Sequence, residues 1–316
     1  MNKKLTVALM MGGISSEREV SLKSGNQVYE ALDKEKYNVV RYDPREDLRQ
    51  LIHDASKIDA ALVILHGRYG EDGTVQGLLE LLGIPYQGSG VLGSAAAMNK
   101  LAAKKLYQQA DILVPPYMVF HHNKHIDLAD CGSRIGFPSV VKPVEGGSSI
   151  GMSVIGDKKE LPAGLQKAFE YDHTVIVEKY IKGTEITGGV IGNDTPEALP
   201  LIEIIPGEAY SFFDYEAKYQ PGATTEICPA RLDNVQTVKA QSLAVKAHQA
   251  LFCKGYSRTD MIVDTEGNIF VLETNTIPGM TPTSLLPQAA QAHGLSFGRL
   301  LDRLIELGIE EHKRKV

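Results

Sequence analysis

Two near-continuous apolar runs, at residues 5–11 and 60–65, constrain the fold of this chain more than any other feature of its sequence. A half-buried strand alternates apolar and polar side chains. A run without alternation, bounded by glycine or polar residues, fits a parallel strand buried on both faces. Between the two runs, Val20, Gly25, Val28 and Leu32 recur at helical spacing, and residues 37–42 read as a further strand. Strands and helices in alternation predict βαβ units and a doubly wound parallel sheet for the first hundred residues. Loops at the carboxyl ends of such strands form ligand crevices, which places residues 12–17 and 66–73 on one functional edge.

Beyond this region the pattern changes. A helix over 100–109 is stopped by Val114-Pro115-Pro116, and strand signals follow at 117–120, 139–142, 152–155 and 175–180. A third stretch has strands at 186–191 and 202–205, a helix over 235–251, and strands at 258–263 and 269–272 joined by a turn at 265–268. Its closing helix carries the apolar stripe Leu300, Leu301, Leu304 and Ile305. Two further α+β units are expected, and 316 residues suffice for two or three domains. The expected boundaries are 1–98, 99–182 and 183–316. With 33 basic and 39 acidic side chains, the formal charge of −6 excludes a broadly basic nucleic-acid-binding surface. Cys131, Cys228 and Cys253 show no CxxC spacing, which argues against a disulfide scaffold or a cysteine-only zinc site. No apolar run approaches the roughly 20 residues that cross a membrane. The run after Lys3 and Lys4 is short for a signal peptide and has no small-residue cleavage site, so the expected location is the cytoplasm.

Several short motifs bear on chemistry. GSGVLG at 88–93 matches the dinucleotide pattern GxGxxG. The strand before it is short and contains Pro85, and Asp111 follows a helix instead of ending a strand, so a dinucleotide site is not expected. The absence of any Gly-Lys dipeptide excludes a Walker A loop. KPVEGGSSIG at 142–151 is a stronger phosphate signal. Its glycines allow close approach of the backbone, exposed N–H groups and the Ser148 and Ser149 hydroxyls donate, and Lys142 supplies charge. Alone, the string reads equally well as a flexible hairpin tip.

The segments RTD at 258–260 and ETN at 273–275 are the most informative. On a strand, residues two apart share a face, so a hairpin would gather Arg258, Asp260, Glu273 and Asn275. Three hard oxygen donors there suit Mg²⁺ bridged to nucleotide phosphates. The alternative is a solvated face with cross-strand ion pairing. An opposite face of Met261, Val263, Phe270 and Leu272 favours the metal, because carboxylates against an apolar layer need compensation. His121, His122 and His125 lie in a polar turn and read as solvated loop. By themselves, His66 reads as a cap or backbone partner, and Glu17 as an acid of a first helical turn.

Taken together, seven stretches in order resemble the D-alanine–D-alanine ligase family of the ATP-grasp superfamily over essentially the whole chain. They are GGISSEREVSL at 12–22, HGRYGEDGT at 66–74, MNK at 98–100, the hairpin above, EKYI at 178–181, YEAKY at 215–219 and LETNTIPGMT at 272–281. The resemblance implies an α/β ATP-grasp fold, in which the N-terminal doubly wound sheet is joined by central and C-terminal α+β domains that enclose the nucleotide. It implies ATP-dependent joining of two D-alanines through a D-alanyl phosphate, for peptidoglycan precursor synthesis.

On the same basis Lys100 and Lys142 contact the ATP phosphates, with Ser149 and the hairpin backbone closing over them. Glu178, Lys179 and Ile181 hold adenine, Glu185 holds the ribose, and Lys218 joins the nucleotide contacts. Asp260, Glu273 and Asn275 bind two Mg²⁺, for which Mn²⁺ substitutes, and activation by K⁺ is left open. Glu17 pairs with the first substrate's ammonium and His66 faces its carboxylate side. Arg258 and the Gly279 N–H stabilise the oxyanion, while Ser284 and the Leu285 N–H capture the second carboxylate. A lid over 206–229 carries Tyr219, which the family links through Ser148 to Glu17. Relatives that form D-alanyl-D-lactate typically have a histidine in this loop. Here none occurs between His173 and His248, which favours the dipeptide. Val144-Glu145-Gly146 departs from the family's Arg-Glu-Gly-type spacing, and this bears on the detailed phosphate contacts. The partners implied are ATP, D-alanine and a second copy of the chain. Another ATP-grasp carboxylate–amine ligase and a nucleotide-binding regulator without catalysis are the alternatives.

Overall fold

The computed structural model describes residues 3–124, 128–147, 149–207 and 224–315. The first segment contains β1 (Leu5–Met10), α1 (Arg18–Ala31), β2 (Tyr37–Tyr42), α2 (Leu48–Asp54), β3 (Ala60–Val63), α3 (Thr74–Leu81) and α4 (Val91–Met98). Its three strands form a parallel sheet in the order β2-β1-β3. The apolar runs are its centre: Val7 to Met10 and Ala60 to Val63 are all buried. The second run was expected to stay in the sheet through Leu65. The strand instead ends at Val63, and Ile64 and Leu65 continue as buried loop towards His66. Glu17, expected within the first helix, sits just ahead of α1 as its N-cap.

The second segment contains α5 (Lys100–Gln109), β4 (Tyr117–His121), α6 (Leu128–Arg134), β5 (Ser139–Pro143), β6 (Ser153–Ile155), α7 (Leu161–Phe169) and β7 (Thr174–Lys179). Asn99 caps α5, its Oδ1 accepting from the Ala102 N–H at 2.9 Å. An antiparallel sheet in the order β4-β7-β5-β6 results, and the glycine-rich string is the tip of the β5–β6 hairpin. Leu161 and Leu165 of α7 seal one face against Val141, Val175 and Val177.

The third segment contains β8 (Gly183–Ile191), β9 (Glu197–Ala198), β10 (Ile202–Pro206), β11 (Thr224–Ile227), α8 (Asn234–Ala250), β12 (Tyr256–Asp264), β13 (Ile269–Asn275), α9 (Leu285–Ala292) and α10 (Phe297–Lys315). The sheet order is β11-β10-β8-β12-β13, with β9 added to β8. Part of the expected 206–229 loop is therefore strand: Thr224–Ile227 pairs antiparallel with β10. Residues 208–223, which hold the rest of that loop, lie outside the described residues.

The first and third segments share a core. Leu300, Leu301, Leu304 and Ile305 of α10 are buried in one cluster with Val7, Leu9, Leu62 and Ile64. Polar ties reinforce this contact. Tyr37 donates to Asp302 Oδ1 at 2.9 Å and Lys36 to Oδ2 at 2.6 Å. Gln87 clamps the Val63 backbone at 2.8 Å on both sides, and its amide also reaches the Tyr256 hydroxyl at 3.2 Å. The GxGxxG string serves this packing. A Cβ on Gly93 would lie 2.9 Å from the Phe252 carbonyl, and one on Gly88 would lie 3.1 Å from the Tyr256 ring. Gly93 lets α4 approach the end of α8, and Gly88 lets the chain ahead of α4 lie against Tyr256 at the start of β12. No helix among the described residues is long and apolar enough to cross a membrane.

A buried histidine in this core makes stability depend on pH. His248 of α8 is fully buried, with Nδ1 2.7 Å from Ser257 Oγ and Nε2 without a hydrogen-bond partner among the described residues. Burial, aided by Lys254, drives its pKa from 6.5 down to about 4. The unfolded chain therefore binds the extra proton first, so stability falls as pH drops from 6.5 towards 4. The shift corresponds to at most about 3 kcal/mol. His248→Asn is expected to shrink the loss of thermal midpoint between pH 7 and pH 4.5. An unchanged loss would put the acid sensitivity elsewhere.

Candidate active site

The β12–β13 hairpin brings the predicted metal residues together in register. Arg258 pairs with Asn275 and Asp260 with Glu273, so all four share one face. The opposite face differs from expectation. A β-bulge after Asp260 shifts the pairing, so that Met261 opposes Val271 and Val263 opposes Ile269. Val271 and Ile269 are the buried residues there, and Leu272 turns instead to the cleft. The bulge re-aims the chain directly beside the polar cluster.

Asp260 is held from three sides. Arg258 grips it twice, Nε to Oδ1 at 2.9 Å and Nη2 to Oδ2 at 2.8 Å. Thr187 donates to Oδ1 at 2.6 Å, and Asn275 Nδ2 to Oδ2 at 3.3 Å. The described residues contain no group of three or more His, Cys, Asp or Glu side chains arranged for a metal. Two carboxylates and an amide in register nevertheless fit a hard divalent ion that takes its remaining oxygens from phosphate and water.

This face is one wall of a cleft whose other wall is the β5–β6 hairpin. Lys100, Lys142 and Ser149 line it on the hairpin side, and Glu178, Lys179, Ile181 and Glu185 on the side of β7 and β8, with Asp260 and Glu273 facing them. Lys100 Nζ donates to the Gly146 carbonyl at 2.6 Å. In the departing triplet, Val144 is buried, and Glu145 binds Asn99 at 3.2 Å while its N–H donates to Asp172 at 2.8 Å. Glu145 thus anchors the base of the hairpin to the start of α5.

Lys142 reaches Glu178 Oε2 at 3.3 Å, and Lys104 reaches Oε1 at 3.2 Å. Burial pushes the Glu178 pKa up, but Lys104 and Lys142 outweigh it and hold the carboxyl below its ordinary range. Burial lowers the pKa of Lys104, only partly opposed by Glu178. For Lys142, burial is outweighed by Glu178 and Glu273, and the pKa rises.

A second group of residues meets the hairpin tip from the N-terminal sheet. Glu17 is 6% exposed, and its carboxylate lies between two glycines: a Cβ on Gly67 would sit 2.8 Å from its Oε2 and one on Gly147 3.2 Å. Gly67 also has φ +70, so a side chain there is excluded twice over. His66 is buried, and its Nε2 has no hydrogen-bond partner among the described residues. Its pKa is lowered, chiefly by burial, against the opposing pull of Glu17. A Cβ on Gly279 would lie 3.1 Å from Ser284 Oγ, and Ser284 occupies the position just ahead of α9, whose first residue is Leu285, its Oγ accepting from the Thr281 N–H at 3.1 Å. The first N–H groups of a helix lack intrahelical partners and favour anions. Ser148, Lys218 and Tyr219 lie outside the described residues.

The family model for the C-terminus of D-Ala–D-Ala ligases matches residues 106–306, and the model for their N-terminus matches 6–52 and 43–89. The chain belongs to the D-alanine–D-alanine ligase family. It is 63% identical over 309 residues to a D-alanine–D-alanine ligase of Syntrophobacter fumaroxidans, covering 98% of this chain and 99% of that protein. The crystal structure of the Bacillus anthracis D-alanine–D-alanine ligase complexed with ATP superposes with a TM-score of 0.87 at 38% identity, covering 99% of this chain and all of that one. VanG D-Ala:D-Ser ligase from Enterococcus faecalis gives 0.84 at 34% identity, covering 97% and 100%. The fold is therefore ATP-grasp.

Two ionisable residues to which the sequence assigned no role stand out, Lys104 fully buried and Glu71 half-buried. Lys104 follows Lys100 by four positions on α5 and so shares its helix face, a spacing that could have revealed it. Glu71 lies inside the quoted HGRYGEDGT string. Its Oε2 accepts from the Gly67 N–H at 2.6 Å, and burial, followed by Glu17, pushes its pKa up to about 8. It lines a small cavity with Lys100, Gly147, Glu273 and Asn275.

Proposed function

We propose that the chain is an ATP-dependent carboxylate–amine ligase that joins two D-alanines into D-alanyl-D-alanine for peptidoglycan precursor synthesis. The observation that carries this is the in-register face of Arg258, Asp260, Glu273 and Asn275, which presents Asp260 and Glu273 to a cleft also lined by Lys100, Lys142 and the glycine hairpin. Lys100 and Lys142 neutralise phosphate charge, Ser149 and the hairpin N–H groups close over the phosphates, and Lys218 adds a further cation from the lid. Glu178, Lys179 and Ile181 hold adenine and Glu185 holds the ribose. Asp260, Glu273 and Asn275 would hold two Mg²⁺ or Mn²⁺ ions. When bound, such ions would supply positive charge to offset the negative charge that develops on the phosphate oxygens.

Glu17 pairs with the ammonium of the first D-alanine and His66 lies on its carboxylate side. That carboxylate attacks the γ-phosphorus, ADP leaves, and a D-alanyl phosphate forms. Phosphoryl transfer of this kind needs positioning and charge neutralisation more than covalent help. The second D-alanine, its carboxylate at Ser284 and the Leu285 N–H, attacks the acyl carbon through its neutral amine. Arg258 and the Gly279 N–H receive the oxyanion, and inorganic phosphate departs as the tetrahedral centre collapses. Tyr219 and Ser148 tie the lid to Glu17 during closure. The proposed division of labour follows 1–98, 99–182 and 183–316. A homodimer acting in the cytoplasm completes the reading.

Phosphate release from ATP and Mg²⁺ tests it, with D-alanine, L-alanine, D-lactate plus D-alanine, D-serine plus D-alanine, or no amino acid. Release that requires D-alanine, with a D-alanyl-D-alanine mass, is expected. Release with another carboxylate would keep the chemistry and overturn the substrate. ATP binding without turnover would return the weight to a regulatory protein.

A further inference from the structure

We propose that Lys104 is a positioning residue for the nucleotide, keeping Glu178 paired when Lys142 leaves it for a phosphate. The inference rests on the reading of the cleft as an ATP site. Lys104 is 1% exposed, and Glu178 is its ion-pair partner, at 3.2 Å. The Tyr117 ring is its other neighbour of note, 5.7 Å from Nζ. Lys104 does not line the cleft, whereas Lys142 and Glu178 do. Whatever Lys104 does for a ligand therefore passes through Glu178.

One buried carboxylate shared by two ammonium groups carries a net positive charge at the cleft wall. Lys142, with 15% of its side chain exposed, is the member able to turn towards an incoming polyanion. If it did so with no second cation present, Glu178 would be left as an unpaired carboxylate at 2% exposure, a costly state. With Lys104 in place, Glu178 remains ionised and paired throughout. Lys142 is then free to follow the phosphate. Burial of Lys104 itself is costly, as its lowered pKa reflects. Such a cation is understandable where it sustains an ion pair that must survive ligand binding.

The test is equilibrium binding of Mg·ATP to the full chain, alongside steady-state KM values for D-alanine. K104M is expected to weaken ATP binding by about 10- to 100-fold, the range of coupling between contacting charged groups, and to leave the D-alanine KM unchanged. E178Q removes the charge that Lys104 serves. E178Q and K104M/E178Q should therefore bind ATP alike, the loss of Lys104 costing nothing further once Glu178 has lost its charge and its own contact with the nucleotide. That comparison holds even if K104M alone does not fold. A further tenfold loss from K104M in the E178Q background, or a parallel rise in both KM values, would assign Lys104 to general packing and overturn the proposal. Wild-type protein that fails to bind ATP would overturn the reading of the cleft itself. Wild-type binding with K104M unaffected would sink this inference alone.

Discussion

Arg258→Ala is expected to lower kcat by about 10²–10³-fold, the usual cost of removing an oxyanion donor. The geometry suggests why this residue outweighs its neighbours. Its guanidinium is fixed by two hydrogen bonds to Asp260, at 2.9 and 2.8 Å, and only 12% of the side chain is exposed. A donor held this rigidly meets developing charge without reorganising. His66 senses it too, since Arg258 is among the influences that lower the imidazole pKa. Truncation also leaves Asp260, 5% exposed, with Thr187 and Asn275 as its side-chain hydrogen-bond donors among the described residues. A loss of stability is therefore expected alongside the loss of rate. Arg258→Lys separates the two effects. Lysine preserves the charge but cannot reproduce the bidentate fork, so stability should largely return while kcat remains depressed. Steady-state kinetics and thermal midpoints of both variants provide the check. Arg258→Ala with near-normal kcat would remove Arg258 from the oxyanion role.

Contacts set by short-range periodicity were legible in the sequence, and those set by distant segments were not. The spacing of two between Arg258 and Asp260, and between Glu273 and Asn275, was enough to foresee one polar face, and the hairpin aligns them directly. The bulge beside Asp260 was invisible, because no residue there demands it, and it exchanged Leu272 for Val271 on the buried face. Helices α2, α3, α4 and α6 are seven or eight residues long, too short for an apolar period to stand out. Lys104 looked like an ordinary helical lysine, because its partner Glu178 lies on a strand far along the chain. Glu71 looked like a loop acid because, apart from the nearby Gly67 N–H, what acts on it is burial and the charge of Glu17 from another segment. The glycines at 67 and 147 announced a turn and a hairpin. That both close on Glu17 follows only from bringing two segments together.

Glu273→Gln should lower ligation by about 10³-fold, the loss that corresponds to about 4 kcal/mol of charge stabilisation. Glutamine keeps the length and one oxygen of the glutamate but removes its negative charge, so packing along β13 is preserved. The charge counts because Asp260 is already engaged by Arg258, Thr187 and Asn275, which divides its field. Glu273 lines both the nucleotide cleft and the small cavity beside Glu71, and its charge helps to raise the Lys142 pKa across the cleft. Two effects are expected together. The Mg²⁺ concentration for half-maximal rate should rise steeply, and Mg·ATP should lose affinity more than free ATP does. A titration of rate and nucleotide binding against Mg²⁺ reads both. If the half-maximal Mg²⁺ concentration stays at the wild-type value while rate falls, Glu273 acts on the reacting groups directly and not through a divalent ion. If neither changes, the three oxygen donors on β12 and β13 are not the metal site, and the pairing of Asp260 with Arg258 is the whole purpose of that face.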